Sequence, residues 1–143
     1  MNSSCHIQYQ RGKILLVSRD PIFNEIITSW MTHERFAFTL VKTFEEVIPA
    51  LSREQFDVVV PTNMWLSPHA IPDLVSKLRN DYPQVGILVI SGWTEIKDEV
   101  LLRGAQFRES PIPLQEFSCR VKNIIARKRK EITWRNISRK DSN

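Results

Sequence analysis

The chain has 143 residues, of which 42% are hydrophobic and 25% are charged, as is typical of a single globular domain. Its two cysteines, Cys5 and Cys119, form no Cys-x-x-Cys pair, and its three histidines are scattered, which argues against zinc-finger and thiol-redox motifs. The sequence has no apolar run long enough to span a membrane and no apolar signal core near its start. We therefore expect a cytoplasmic protein without a membrane span, cofactor or metal.

The net charge of +4 is concentrated towards the C-terminal end of the sequence. Residues 127–143 hold seven basic and two acidic side chains, whereas residues 1–126 hold 13 basic and 14 acidic ones. The sequence thus predicts an N-terminal extension (1–11), a near-neutral domain (12–126) and a basic C-terminal tail or helix extension (127–143). Binding to nucleic acid or to an anionic surface would depend on that last segment.

The first half of the domain alternates predicted strands and helices. After the first strand, Ser18 or Asp20 can cap a helix whose first turn holds Pro21. Apolar residues then recur at helical spacing and predict one broad buried face: Ile22, Phe23, Ile26, Ile27, Trp30 and Met31. Thr43 and Glu46 form a capping-box pattern. The predicted elements are strands at 13–17, 36–41 and 57–60, with a helix from Pro21 and a helix from 43 to about 53 that contains Pro49.

The second half continues the same alternation. A helix begins at Pro72 or Asp73, and Gly104 suits the left-handed position after a further helix. The predicted elements are strands at 85–90 and 106–109, with helices from about 72, from 94 to 102, and from Leu114. Because most of the strands are apolar on both faces, they indicate a parallel sheet covered by helices on both sides. We predict a doubly wound three-layer α/β sandwich with five parallel strands in the flavodoxin-like order 2-1-3-4-5.

Four segments at the ends of these strands resemble the receiver domain of bacterial response regulators. They are KILLVSRDP (13–21), FDVVVPTNM (56–64), GILVISGW (86–93) and LLRGAQFRESPIP (101–113). In order and spacing they resemble the opening strand with its acidic turn, the strand with the phospho-accepting aspartate, the strand with the Ser/Thr switch residue and the stretch with the Lys-Pro step. The resemblance covers about residues 11–126, and it implies a role in two-component signalling.

The resemblance also implies a Mg²⁺ site that this sequence does not supply. Receivers bind the metal with two acidic residues after the first strand, and Ser18 and Arg19 stand in their place. Asp20 is the one acidic residue there, and a cation beside Arg19 would be repelled. Asp57 falls at the opposite end of its strand, and Asp73 suits the first turn of a helix. We therefore expect neither of them to substitute.

The phosphoryl-transfer residues implied by the resemblance are also changed. Thr62 stands at the acceptor position, where a threonine hydroxyl is a weak nucleophile without an activating base. Ser110, before Pro111, replaces the lysine that would neutralise the phosphoryl charge. Ser91 matches the switch hydroxyl. The sequence therefore predicts a degenerate phosphorylation site, and we expect no catalytic residue.

Several loop side chains allow two interpretations. Trp65 and Trp93 either contact a partner or fold back over the pocket, and the sequence does not decide between these alternatives. Arg19 either bridges the pocket or is a solvated loop residue, and we favour the second because isolated surface pairs are weak. Nothing around Thr62 or Ser67 supports modification by a serine/threonine kinase.

The last helix keeps an approximate helical period beyond the usual end of a receiver. Its apolar positions are Leu114, Phe117, Val121, Ile124, Ile125, Ile132 and Ile137, and Cys119 is predicted to pack among them. Residues 127–130 (Arg127, Lys128, Arg129 and Lys130) interrupt this period, and the basic segment continues with Arg135 and contains Trp134. It either docks on a partner or a second copy, or forms a basic tail.

Three functions follow from these observations. We favour a non-phosphorylatable receiver-like module that contacts a protein partner (a kinase, a regulator or an output protein). The resemblance to receivers also implies a homodimer through the fourth and fifth helices. The alternative, ranked lower, is that the basic segment binds nucleic acid or an anionic surface, and nucleic acid is not expected as the main partner. An α/β enzyme is disfavoured because the sequence has neither a G-x-G-x-x-G motif nor a P-loop.

Overall fold

The computed structural model describes residues 11–62 and 70–141, with side chains as far as Glu131. Strands and helices alternate along the chain, and a single 3₁₀ turn precedes the second helix (Phe44–Glu46) and the fourth (Thr94–Ile96). The elements are β1 Gly12–Val17, α1 Pro21–His33, β2 Phe36–Val41, α2 Val47–Arg53, β3 Val58–Pro61, α3 Ala70–Asp81, β4 Gly86–Ser91, α4 Lys97–Leu102, β5 Gln106–Glu109 and α5 Leu114–Asp141.

The five strands form one parallel sheet in the order β2-β1-β3-β4-β5. This order confirms the predicted doubly wound fold. Successive strand side chains point to opposite faces, so Leu15 and Val17 join the core under α2, α3 and α4, whereas Ile14 and Leu16 join the core under α1 and α5. Both faces are therefore buried, as the strands without alternating polar residues predicted.

Helix α1 begins at an N-cap and buries a narrower face than predicted. The Asp20 carboxylate accepts hydrogen bonds from the backbone N–H groups of Ile22 (3.0 Å) and Phe23 (3.2 Å). Ile22 is 73% exposed and Ile26 is 50% exposed, so the prediction that they belong to one broad buried face was wrong. The sheet covers the stripe that holds Ile27, Trp30 and Met31, and the other two positions turn away from it at 100° per residue.

The predicted capping box does not form, so this prediction was wrong. Thr43 makes no side-chain capping hydrogen bond, whereas the Glu46 carboxylate accepts from the backbone N–H of Lys42 at 3.1 Å. The chain therefore enters α2 through a 3₁₀ turn, and the α-helix begins four residues later than predicted, at Val47. Pro49 lies in the first turn of α2, where a missing N–H is tolerated.

Helix α5 lies against the sheet and continues well beyond it. Phe117, Val121, Ile124 and Ile125 are buried on the sheet, whereas Cys119 is exposed, so its predicted packing role was wrong. The helix runs without interruption across the predicted boundary between residues 126 and 127. Its 28 residues correspond to about 42 Å at 1.5 Å per residue. Within the described ranges, no helix is both long and apolar enough to cross a membrane.

Two glycines allow α5 to approach the sheet closely. A Cβ atom on Gly12 would lie 2.7 Å from Cδ1 of Ile125. A Cβ atom on Gly86 would overlap Cγ2 of Ile124 and would lie 3.3 Å from the carbonyl oxygen of Asp57. The helix therefore rests directly on the backbone at the start of β1 and β4.

Polar contacts near the amino ends of the strands add to this packing. The Lys122 ammonium donates to Glu34 at 3.1 Å, and that hydrogen bond holds the pKa of the Glu34 carboxyl below its ordinary value. The Lys128 ammonium lies 3.2 Å from the Asp57 carboxylate. Helix α5 is thus fixed to the α1–β2 turn and to the start of β3.

We expect Gly86→Ala to lower the free energy of unfolding by about 1–3 kcal/mol, because the added methyl group overpacks the contact with α5. Urea denaturation of the full chain measures the change. Ile124→Ala removes the opposing side chain, so the double variant should lose less stability than the sum of the two single variants. Strict additivity would contradict the close contact.

Candidate functional site

The carboxyl edge of the sheet brings together the predicted site residues at the ends of β1, β3 and β4. Ser18 and Ser91 are fully buried there, and Thr62 is 6% exposed. Ser18, Thr62 and Ser110 each donate a backbone N–H to a carbonyl of the neighbouring strand at 3.0–3.1 Å. The parallel ladder therefore extends one residue past the strands and aligns these positions along the edge.

The hydroxyl groups at this edge hydrogen-bond to the backbone. Thr62 Oγ1 donates to the carbonyl oxygen of Val17 at 2.7 Å within the buried core. Ser18 Oγ accepts from the backbone N–H of Asp20 at 3.2 Å, and Ser91 Oγ accepts from that of Trp93 at 3.0 Å. Each contact supports a local turn or joins two neighbouring strands.

The donor atoms present do not fit a receiver-type Mg²⁺ site. Mg²⁺ prefers a cluster of oxygen ligands that includes carboxylates, and Asp20 is the one acidic residue among the predicted site positions. Its carboxylate already caps α1. In the described parts of the chain there is no group of three or more His, Cys, Asp or Glu side chains that could hold a metal ion, and the sequence between 63 and 69 contains no Asp or Glu.

The nearby charged residues do not replace the missing ligands. Arg19 is exposed and makes no ion pair with a side chain in the described ranges, which agrees with a solvated loop residue. Asp57 lies at the amino end of β3 and accepts from the backbone N–H of Lys13 at 2.8 Å. Asp73 lies in the first turn of α3 and pairs with Arg103 at 3.3 Å.

Of the two tryptophans predicted at this edge, Trp93 lies in the described part of the chain. It is half-buried and packs against the core under α2, α3 and α4, which favours the folded-back interpretation over an exposed contact residue. Trp65 and Ser67 lie outside the described residues, as does the side chain of Arg135.

The structure also shows exposed aliphatic residues that the periodicity did not identify as surface residues. Leu101 and Leu102, at the end of α4, are 46% and 87% exposed, and Ile22 and Ile26 are exposed on α1. The sequence carried a signal for the α4 pair, because Val100 continues the buried stripe and the next two positions turn away from it.

Neither a protein-family model nor a curated protein matches the sequence, but solved structures resemble its fold. Over 92% of this chain, NtrX from Brucella abortus superposes with a TM-score of 0.81 at 15% sequence identity. The receiver domain of the TMAO respiratory system response regulator TorR gives 0.74 at 22% identity over 81% of this chain. A CheY-like receiver domain protein from Methanospirillum hungatei gives 0.76 at 18% identity over 84%. The chain has the receiver-domain fold.

The compared proteins differ in how much of their length this receiver fold accounts for. The chain spans 98% of the TorR and Methanospirillum chains but 30% of the NtrX chain. At identities of 15–22% the likeness establishes the fold. The chemistry of the carboxyl edge depends on the side chains that this chain carries there.

We expect Thr62→Val to lower the free energy of unfolding by about 1 kcal/mol, because it keeps the side-chain shape but removes the buried hydrogen bond to Val17. Thr32→Val is the matched control, since Thr32 is exposed on α1 and its loss should change stability by less than about 0.5 kcal/mol. Urea denaturation compares the two. Equal stability of the Thr62 variant and the unmodified chain would contradict a structural role for this hydroxyl.

Proposed function

We propose that this receiver fold is a signalling module that does not accept a phosphoryl group on an aspartate and that acts by contacting other proteins. The observation that supports this function is the set of hydroxyl residues at the carboxyl edge. Ser18, Thr62 and Ser91 each make a hydrogen bond to backbone groups. They stabilise the edge and supply none of the carboxylates that the reaction needs.

Thr62, which stands at the acceptor position, gives the strongest support for a module that does not accept a phosphoryl group. Thr62 Oγ1 is buried and donates its proton to a backbone carbonyl, and a carbonyl oxygen cannot act as the general base that a threonine nucleophile requires. Ser110 provides no positive charge to balance an incoming phosphoryl group. Phosphoryl transfer depends on such electrostatic stabilisation, so nucleophile, metal ligands and counter-charge are lost together.

We expect the full chain to show no saturable change in its amide NMR spectrum when Mg²⁺ and beryllofluoride are added together. Incubation with acetyl phosphate and Mg²⁺ should leave the intact mass unchanged. Both results follow from the lack of carboxylate ligands beside Asp20. A saturable, Mg²⁺-dependent shift of the Ser18, Thr62 or Ser91 amides, or the mass gain of one phosphoryl group, would contradict the proposal.

Helix α4 provides a surface for protein contact. Leu102 is 87% exposed and its neighbour Leu101 is 46% exposed, which makes adjacent apolar area available at the end of the helix. We propose that this surface pairs with a second copy or with a kinase, regulator or output protein of a two-component pathway. The contact would not require phosphorylation.

We expect the chain to dimerise and expect Leu101→Gln/Leu102→Gln to raise the dimer dissociation constant about tenfold or more, because two apolar contacts are lost. Sedimentation equilibrium over a concentration series measures both constants. Ile22→Gln/Ile26→Gln on α1 is the matched control and should leave the constant unchanged. A monomer at all concentrations, or an equal effect of the control pair, would exclude dimerisation through α4.

A further inference from the structure

The two edges of the sheet differ in charge. At the carboxyl ends of the strands and in the turns that follow them, acidic side chains outnumber basic ones: Asp20, Glu45, Glu46, Glu95, Asp98 and Glu109 against Arg19, Lys42 and Lys97. At the amino edge, an arginine precedes each of the five strands (Arg11, Arg35, Arg53, Arg79 and Arg103), against four acidic residues in the same turns (Glu34, Glu54, Asp57 and Asp81).

At the amino edge, Arg11 pairs with Glu34, Arg103 pairs with Asp73, and Arg79 donates to the carbonyl oxygen of Pro83. Arg35 and Arg53 are exposed and form no ion pair with a side chain in the described ranges. Helix α5 adds four consecutive basic residues at that same edge, at positions 127–130. The amino edge is therefore net basic, and residues 127–130 of α5 supply most of its excess positive charge.

The basic part of α5 is held against this edge at its start. The Arg129 guanidinium donates to the carbonyl oxygen of Arg11 at 2.8 Å, and Lys128 pairs with Asp57 at 3.2 Å. Arg127 and Lys130 are exposed, and neither forms an ion pair with a side chain in the described ranges. Two contacts thus orient the helix, while two cations beside them stay available to an external anion.

Beyond residue 130, basic residues occupy most of the positions that would continue the buried stripe of α5. At helical spacing, positions 128, 132, 135 and 139 follow the stripe of the buried positions 117 and 121. Three of these four are Lys or Arg, and the fourth is Ile132. The same stripe would be the seam of a coiled coil with a second copy, which requires apolar residues. The apolar positions 132, 134 and 137 do not share one face, as a membrane-surface helix would need. Since neither a coiled coil nor a membrane surface fits this pattern, the partner whose charge complements the basic helix is a polyanion.

We propose that the α5 extension (residues 127–141), together with the exposed Arg35 and Arg53 of the amino edge, binds the phosphodiester backbone of a double-stranded nucleic acid. Fifteen helical residues span about 22 Å, and duplex DNA carries one negative charge per about 1.7 Å of its axis. An α-helix also fits the major groove, which is about 12 Å wide. This surface lies at the opposite end of the sheet from the candidate site, so its binding is a separate activity from the proposed signalling contact.

Fluorescence anisotropy with labelled duplex DNA and duplex RNA of one sequence, from about 50 to 200 mM salt, tests the proposal. With four or five phosphate contacts, the logarithm of the binding constant should fall with the logarithm of salt concentration at a slope of about −4. Arg127→Gln/Lys130→Gln should weaken binding about tenfold at the lowest salt and reduce the slope by about 2, since each contact contributes about 0.9. Binding to either duplex supports the proposal, and the duplex that binds more tightly identifies the preferred nucleic acid.

Lys42→Gln/Lys97→Gln is the matched control, because it removes the same charge from exposed positions towards the carboxyl edge. This variant should keep the binding constant and slope of the unmodified chain. Equal losses in the two double variants would show a response to net charge alone and would overturn the proposal. It would also be overturned by the absence of saturable binding to both duplexes at the lowest salt, or by tighter binding to anionic vesicles than to either duplex.

Discussion

The contact between α5 and the backbone of β1 and β4 determines how the rest of the molecule is arranged. Gly12 and Gly86 leave room for Ile125 and Ile124 to rest on the strands, and Phe117 and Val121 complete the buried stripe. Because the helix runs antiparallel to the strands, this contact directs its C-terminal half past the amino edge of the sheet. The basic residues at positions 127–130 of α5 therefore lie at the edge of the sheet opposite the candidate site.

At the carboxyl edge, backbone atoms hold the strands in alignment, whereas side-chain atoms determine the chemistry of the site. Backbone hydrogen bonds of Ser18, Thr62 and Ser110 to neighbouring strands align the edge whatever side chains it carries. The hydroxyl of Thr62 strengthens the same alignment, since it donates to the carbonyl that also accepts the Thr62 backbone N–H. The geometry of this edge therefore does not depend on carboxylate side chains. A hydroxyl group at the buried position of Thr62 also avoids the cost of a buried, unpaired charge.

The sequence predicted β1, β3 and β4 from their apolar runs and the strand order from the doubly wound alternation of strands and helices. β2 and β5 have the predicted bounds, although β5 (QFRE) is largely polar. The sequence was less informative where tertiary contacts decide the outcome. Periodicity alone could not show that the sheet covers Ile27 but leaves Ile22 in solvent, or that Cys119 faces away from it. Likewise, the partners of Asp57 and Arg129 are distant in sequence, 71 and 118 residues away, so no local pattern indicates them.

The distance between the two edges of the sheet determines which charges an external anion encounters. Strands of six residues are about 20 Å long, whereas the Debye length at physiological salt is about 8 Å. Exposed charges on one edge are therefore largely screened from those on the other, and the acidic loops do not offset the attraction of the amino edge for an anion. An anion near α5 interacts with the local arginines and lysines, not with the small net charge of the chain. For the same reason, a protein partner at α4 and a polyanion at α5 can bind without strong electrostatic interference. Any coupling between them would have to pass through the packing of α5 on the sheet.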